Sequence, residues 1–339
     1  MDPVTHLIVN TGLYTAISDK GLALDSPEFL AASAGALIPD GDAFLQIFGD
    51  IPYLKNHRGM SHSLLGGLIL SGVIGLFFSV LFSHNLITLW AYGFLGVASH
   101  LLLDWCNSYG IKLLWPLSKK MYTGNVLVVI EPVLILLSFI MIFSFAYDYA
   151  IDFSGYTENY HYPMYLFHSN LGWVGLAGQI GYILARHISR INLTKYLHSR
   201  FLPAQLERLM VWPASNSFSH WDFIAETEQA VYVGRAPIFK HTYWIKEKLS
   251  KKIEQEVGRL FAHQALNSKT GQFFKEFTPY YLIKHEQTSD DKHQIVFIDL
   301  RYHMGSRFLH KATVRFQQQG IVEEATFQPY HPKRKVPVK

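Results

Sequence analysis

The chain has 339 residues, a formal net charge of +4 and a single cysteine, Cys106. Charged residues make up 17% and aromatic residues 15%; soluble proteins carry about 25% charged residues, so membrane residence is the leading class. One thiol excludes an intrachain disulfide framework and a thiolate-rich zinc site, and the modest charge, with its bases concentrated after residue 185, reads as a cytoplasm-facing surface and not as a nucleic-acid footprint.

Residues 3–18 form an apolar segment too short to span a bilayer, without the basic start and cleavage site of a signal peptide. Residues 27–49 are apolar and small, but Pro39, Asp40, Gly41 and Asp42 interrupt them, which predicts a helix that breaks at its polar residues. Next comes His57-Arg58-Gly59-Met60-Ser61-His62-Ser63, in which a glycine between two imidazoles allows both to bend towards one point. Four apolar stretches of near-spanning length follow: Ser63 to Phe82, Leu86 to Leu103, Val126 to Tyr147 and Tyr165 to Leu184. Lys112, Lys119 and Lys120 lie in the second connection and Arg186, Arg190, Lys195, Arg200 and Arg208 after the fourth stretch, whereas the loop from Asp148 to Met164 has acids and no bases. The positive-inside rule therefore puts the amino terminus and the carboxyl-terminal region in the cytoplasm.

From about Val211 the texture changes. Alternation over His220 to Glu226, Ala230 to Arg235, Tyr280 to His285, Ile295 to Tyr302 and Thr313 to Gln317 predicts strands, with a helical, charge-laced segment from Tyr243 to about Leu266. The expected architecture is an all-α polytopic membrane domain (1–195) of about four spanning helices plus broken or partial amino-terminal helices, then a small soluble α+β domain (211–330) and a basic tail (331–339).

With that topology the ionisable residues of the apolar region converge on one membrane face. His62 opens the first span, His100 and Asp104 share a helical face at the end of the second, and Glu131 begins the third; Asp40 and Asp42 precede His57, and His6 sits in a segment able to pack beside them. Each has a simpler explanation: a helix-end pair for His100 and Asp104, capping for Asp40 and Asp42, a dipole-favoured helix start for Glu131, an interfacial anchor for Arg58. Convergence favours a shared site, because ionisable groups in hydrocarbon are costly unless they pair or bind a cation. Imidazole and carboxylate suit zinc, manganese or iron, and this many donors could hold more than one ion.

The ordered set Met1-Asp-Pro-Val-Thr-His6, Ala36-Leu-Ile-Pro-Asp40-Gly-Asp42, His57-Arg-Gly-Met-Ser-His62 and Ser99-His100-Leu-Leu-Leu-Asp104, followed by Tyr109-Gly110 and Leu114-Trp-Pro116, resembles the YdjM-like family of LexA-regulated, inner-membrane, metal-dependent hydrolases. The resemblance covers roughly residues 1–190, with Glu131-Pro132 in place of that family's Asp-Pro. The His-x-x-x-Asp spacing is also similar to that of zinc-dependent phospholipase C and its nuclease relatives, which implies phosphoester hydrolysis, of a lipid reached from the bilayer. On this basis His6, Asp40, His57, His62, His100 and Asp104 are expected ligands of a divalent metal, foremost zinc. Asp42 or Glu131 completes the shell or takes a proton from the attacking water, and Arg58 neutralises phosphate charge. The expected partners are membrane lipid and a lipid or phosphoester substrate, with no nucleic acid. The alternative is a non-enzymatic bundle moving metal ions or protons, although Leu68 to Phe82 and Leu86 to Ala98 offer little beyond small hydroxyls. A third reading makes the membrane part an anchor for a partner-binding soluble domain.

Overall fold

A computed structural model describes residues 1–18, 22–153, 161–215, 217–238, 240–288, 292–304, 307–317, 320–329 and 334–338, with backbone alone for residues 55, 144–153, 161–170, 303, 304 and 307. The centre of the predicted Asp148 to Met164 loop and residues 331–333 and 339 of the tail lie outside the described residues. Chain contacts define two units: Met1–Ala43, Arg58–Ile191 and Asn216–Phe218 form one, and Phe44–His57, Asn192–Ser215 and Ser219–Lys339 the other.

In the first unit each helix starts where its sequence supplies a cap. Asp2 and Ser26 accept backbone N–H groups at the starts of α1 (Pro3–Ile17) and α2 (Pro27–Leu37), each with proline in its first turn, where the missing N–H costs nothing. Ser63 and Asn85 do the same for α4 (Leu64–Phe82) and α5 (Leu86–Cys106). The predicted break after residue 37 is present: α2 passes into a 3₁₀ helix, Ile38–Phe48, which leads to the short α3 (Asp50–Asn56) of the second unit.

Helices α4 and α5 form a hairpin, turned by Ser83 in the left-handed conformation (φ 51°). Nineteen residues at 1.5 Å each give α4 a length of roughly 28 Å, close to the hydrocarbon thickness. Among the described residues only α4 and α5 are long and apolar enough to cross a membrane; the expectation of four spans is corrected to two. Val126 and Leu127 donate their N–H groups to the Cys106 carbonyl at 2.8 and 3.0 Å, so α6 (Pro132–Phe153) begins six residues after the predicted start, and only its apolar part Pro132–Phe143, too short to span, counts towards a crossing. The fourth lies inside the long α7 (His161–Phe201), where Gln179 and the glycines at 172, 175, 178 and 181 dilute the apolar run.

The hairpin is joined to α2 through backbone contact. A Cβ built on Gly96 of α5 would lie 2.0 Å from the Ala32 carbonyl oxygen, and one on Gly35 of α2 would lie 2.3 Å from that of Gly93. Small residues at such crossings allow apolar helices to associate where no hydrophobic force between them operates.

The second unit is α/β. Strands β1 (Leu206–Pro213), β2 (His220–Thr227), β3 (Ala230–Pro237) and β4 (Trp244–Ser250) form an antiparallel meander. Helices α8 (Glu256–Asn267) and α9 (Lys269–Phe277) precede β5 (Tyr281–Gln287) and β6 (His293–Asp299). A small ribbon, β7 (His303–Met304) with β8 (Arg307–Phe308), precedes β9 (Lys311–Phe316), β10 (Val322–Gln328) and β11 (Val336–Pro337); the larger sheet has the order β11-β10-β9-β6-β5. One face of that sheet packs Ile295, Phe297 and Phe316 on Phe261 and Phe274 of the helices, and the other packs Val296 and Ile298 with Trp212 and Ile224 of the meander. Ile51 and Leu54 of α3 join the first of these cores. The helical segment expected from Tyr243 is corrected: Trp244–Ser250 pairs with β3 as an edge strand, its alternating lysines on one side, and the helix starts at Glu256.

Two predictions come from this packing. Gly96→Val should force α2 from α5, and the purified variant should retain less than half the bound metal of the parent when both are measured by mass spectrometry. Within the meander, Asp222 is buried and accepts from Arg235 (Nε 2.6 Å, Nη2 3.0 Å) and Lys246 (2.9 Å). Burial alone would raise its pKa, but these cations outweigh it and hold the carboxyl below its ordinary value. Its folded-state pKa lies below the unfolded one, so the stabilisation is complete above about pH 4 and is lost as pH falls through the native value. Asp222→Asn should cost ~3 kcal/mol at neutral pH and flatten the acid limb of the full-length protein's thermal unfolding curve.

Candidate metal centre

Because α4 and α5 are antiparallel, the start of one and the end of the other lie at the same end of the hairpin. His62, two residues before α4, therefore meets His100 and Asp104, in the last two turns of α5. Asp40 enters from the first turn of the 3₁₀ helix, carried there by the α2–α5 contact. One donor atom from each of these four residues lies within 4.8 Å of the other three.

The separations match a coordination shell. His62 Nε2 lies 3.3 Å from Asp40 Oδ1, 3.3 Å from Asp104 Oδ2 and 3.1 Å from His100 Nε2. His100 Nε2 lies 3.6 Å from Asp40 Oδ1 and 3.8 Å from Asp104 Oδ2. A tetrahedron with metal–ligand bonds of about 2.0–2.1 Å has edges of roughly 3.3–3.4 Å, which these distances bracket. His62, His100 and Asp104 are fully buried, and Asp104 Oδ2 has no hydrogen-bond partner among the described residues. A buried carboxylate oxygen left in this state is costly, and a cation between the two imidazoles and two carboxylates satisfies it.

The surrounding contacts orient the donors. His100 Nδ1 is 2.7 Å from the Ala36 carbonyl oxygen, which can only accept; Nδ1 therefore carries the proton and Nε2 presents its lone pair to the cluster. His62 Nδ1 faces Asp42 Oδ2 at 3.4 Å and Ser61 Oγ at 3.0 Å. Such carboxylate and carbonyl partners set the orientation and basicity of metal-binding imidazoles. Burial alone would depress the His62 pKa, but Asp104, Asp40 and Asp42 around its ring outweigh this and push it up to about 10. A metal ion arriving at neutral pH therefore displaces a proton from His62.

Asp42 also holds the loop. Its Oδ2 accepts from the Arg58 backbone N–H at 2.8 Å and from the Ser61 hydroxyl at 3.1 Å. Arg58 itself has φ 56°, and its buried guanidinium donates from Nη2 to Asp104 Oδ1 at 3.2 Å above the Tyr109 ring. Its Nε and Nη1 have no hydrogen-bond partner among the described residues.

The remaining expected residues are placed as follows. His6 stacks on His100 with ring centroids 3.8 Å apart, its Nε2 3.4 Å from Asp104 Oδ1; the residue 1 amino group contacts the same oxygen. His57 belongs to the second unit, at the end of α3, with its ring 4.6 Å from that of Tyr53, and it is not among the four clustered donors. Glu131 is fully buried and accepts at 2.8 Å from both the Val128 N–H and the Tyr182 hydroxyl, tying the start of α6 to α7. The sequence reading missed Ser61 and the Ala36 carbonyl. Ser61 was legible as the hydroxyl beside His62, whereas a carbonyl contributed by any residue leaves no sequence signal.

The fold and the site together define a membrane-associated helical domain with a buried His/Asp cluster able to hold a metal ion, followed by an α/β domain. Residues 1–190 match the family described as YdjM inner membrane protein, and the chain belongs to that family. Residues 261–336 match the YfhP C-terminal alpha/beta plait domain. The chain is also similar to the "Uncharacterized protein YfhP" of Bacillus subtilis (strain 168), with 25% identity over 312 residues, covering 89% of this chain and 87% of that relative. No solved structure matches the chain.

Asp42 gives a sharp test of the orienting shell. Asp42→Asn should keep the fold and weaken zinc binding about 10- to 100-fold, measured by competition with a chelating dye, whereas Asp104→Ala should abolish it.

Proposed function

We propose that the chain is a membrane-bound, metal-dependent hydrolase of phosphoester or ester bonds, with its site at the cytoplasmic face. The observation that carries this reading is the shell of donors formed by Asp40, His62, His100 and Asp104 at tetrahedral-edge distances, with the His100 lone pair fixed towards its centre. Two carboxylates and two imidazoles suit zinc, with manganese or iron as substitutes. Asp40, His62, His100 and Asp104 would hold the ion, whose chemistry when bound would be Lewis-acid activation of water and of the ester oxygen. Arg58 is the group suited to receiving negative charge on the substrate: its Nε and Nη1, without a hydrogen-bond partner among the described residues, complement Nη2, which is anchored on Asp104. Asp42 orients His62 and the loop around Arg58. His6, packed on His100, and Asp104 bring further imidazole and carboxylate capacity for a second ion. Glu131, with both oxygens engaged, serves as a positioning residue in this reading.

One observation favours the second reading, a bundle that passes metal ions or protons. On α1, one turn beyond His6, Asn10 is fully buried and neither atom of its amide has a partner among the described residues; one turn further, Tyr14 meets Ser26 at 3.0 Å.

The full-length protein, purified in detergent, should hydrolyse a chromogenic phosphodiester or carboxylic ester. Chelation should remove that activity, re-addition of zinc or manganese should restore it, and His62→Ala should abolish it. Arg58→Ala should lower phosphodiester turnover ~100-fold while sparing bound metal. Absence of hydrolysis from protein with a full equivalent of metal, together with Asn10-dependent ion flux in vesicles, would replace the hydrolase reading with the second one.

A further inference from the structure

The first unit holds buried polar groups that the metal centre does not use, and they belong to α1 and α2. At the end of the hairpin away from the centre, Glu28 in the first turn of α2 meets His84, which lies in the turn between α4 and α5, with Oε1 and Nε2 3.5 Å apart. The dipole of α2 favours an acid at that position, but it does not call for burial, and Glu28 is buried. An ionisable side chain enclosed beside spanning helices is costly enough to mark a functional group, proton relays among them. The His84 side chain is 32% exposed, so the pair opens outwards at that end.

Ring contacts fix how α1 runs beside α2. Tyr14 packs on Phe29 with centroids 5.3 Å apart, and its hydroxyl meets Ser26 Oγ at 3.0 Å. Two turns earlier on α1, His6 stacks on His100, whose Nδ1 is bound to the Ala36 carbonyl of α2. The two helices are therefore antiparallel. One turn inward from Tyr14 and from Phe29 come Asn10 and Ser33, on the facing sides of their helices. Asn10 is fully buried, and its amide oxygen, its amide nitrogen and the Ser33 hydroxyl all lack a hydrogen-bond partner among the described residues. These atoms are an acceptor, a donor and a group that is both. Water matches that chemistry, since a buried molecule makes about three hydrogen bonds to polar groups otherwise left unpaired.

We infer that water bound between Asn10 and Ser33 completes a proton path through the first unit, from Glu28 and His84 at one end of the hairpin, past Ser26 and Tyr14, to the metal centre at the other. A proton taken up at the Glu28–His84 pair is handed along hydroxyls and water, each passing one proton on for each received, and leaves on the solvent side of the centre. Asn10 holds the water and does not itself relay. Successive positions on α1 are one turn, about 6 Å, apart, a step that a single bridging water covers. The inference rests on the second reading above, names its cargo as protons, and is compatible with hydrolysis at the centre.

The test uses the full-length protein in vesicles of phosphatidylethanolamine and phosphatidylglycerol with an entrapped pH-sensitive dye, and a valinomycin-clamped potassium gradient to drive protons inwards. The protein should acidify the interior faster than protein-free vesicles do. Asn10→Leu and Glu28→Gln should return the rate to the protein-free level, Ser33→Ala should lower it, and Val80→Ala, on the exposed side of α4, should leave it unchanged. A parental rate equal to that of protein-free vesicles would overturn the inference, as would a rate that Asn10→Leu and Glu28→Gln leave intact. Phosphodiester turnover is measured on the same preparations: turnover without proton flux removes the path and keeps the hydrolase, and flux without turnover does the reverse. Bound metal at the parental level certifies the fold of each variant, and Glu28→Gln with Ser33→Ala carries the test if Asn10→Leu fails that criterion.

Discussion

The contact on which the site depends is the approach of the α2 and α5 backbones at Gly35, Gly93, Gly96 and Ala32. Within a bilayer apolar surface gains nothing by leaving lipid for protein, so helices hold together only by close packing and interhelical hydrogen bonds. Here the close packing produces one such bond, from His100 Nδ1 to the Ala36 carbonyl. That bond sets the tautomer of His100, and the same crossing delivers Asp40, four residues past Ala36, to the imidazoles. A missing side chain on α5 is therefore the condition for a charged side chain three residues beyond the end of α2 to reach its partners.

The donors themselves were legible because they depend on short-range rules. The four-residue spacing of His100 and Asp104, the break at Pro39 and Asp40, and the caps at Asp2, Ser26, Ser63 and Asn85 are local, and the hairpin brings its two ends together whatever lies between them. What failed depended on tertiary context. The glycine of the His57 to His62 loop was expected to let the chain bend there, and Gly59 takes φ −92° and ψ −112°, but the residue before it, Arg58, is left-handed, which the sequence did not signal. An arginine accepts that conformation because its N–H, its carbonyl and its guanidinium are all engaged, by Asp42, Lys112 and Asp104. His57 lies on the other side of this turn, as the residue that caps the end of α3. Spans three and four were overcounted because the apolar part of α6 ends after Pro132–Phe143 and the run in α7 is diluted by Gln179 and four glycines, and the alternating lysines of β4 read as helical lacing when seen without the neighbouring strand.

The electrostatics of the centre follow from burial more than from charge number. Asp40, Asp42 and Asp104 face His62 and Arg58 within a space where water does not equalise them, so each proton and each cation is held by geometry. The α/β unit has a comparable arrangement at Asp222, where Arg235 and Lys246 meet a single carboxylate inside the meander. There the set is complete without a further ion. At the helical centre an oxygen of Asp104 and two nitrogens of Arg58 have no hydrogen-bond partner among the described residues, which distinguishes a cluster able to hold an ion from a completed ion pair.

Residues 44–57 leave the first unit and return to it where the Arg58 N–H and the Ser61 hydroxyl donate to Asp42. Asp40 stands just before this junction and His62 just after it. Ile51 and Leu54, at the far end of the loop, are embedded in the core of the α/β unit. Asp42 therefore serves twice: the same carboxylate that orients His62 also fixes the Arg58 N–H, so a single side chain joins the turn before His62 to the 3₁₀ helix that carries Asp40.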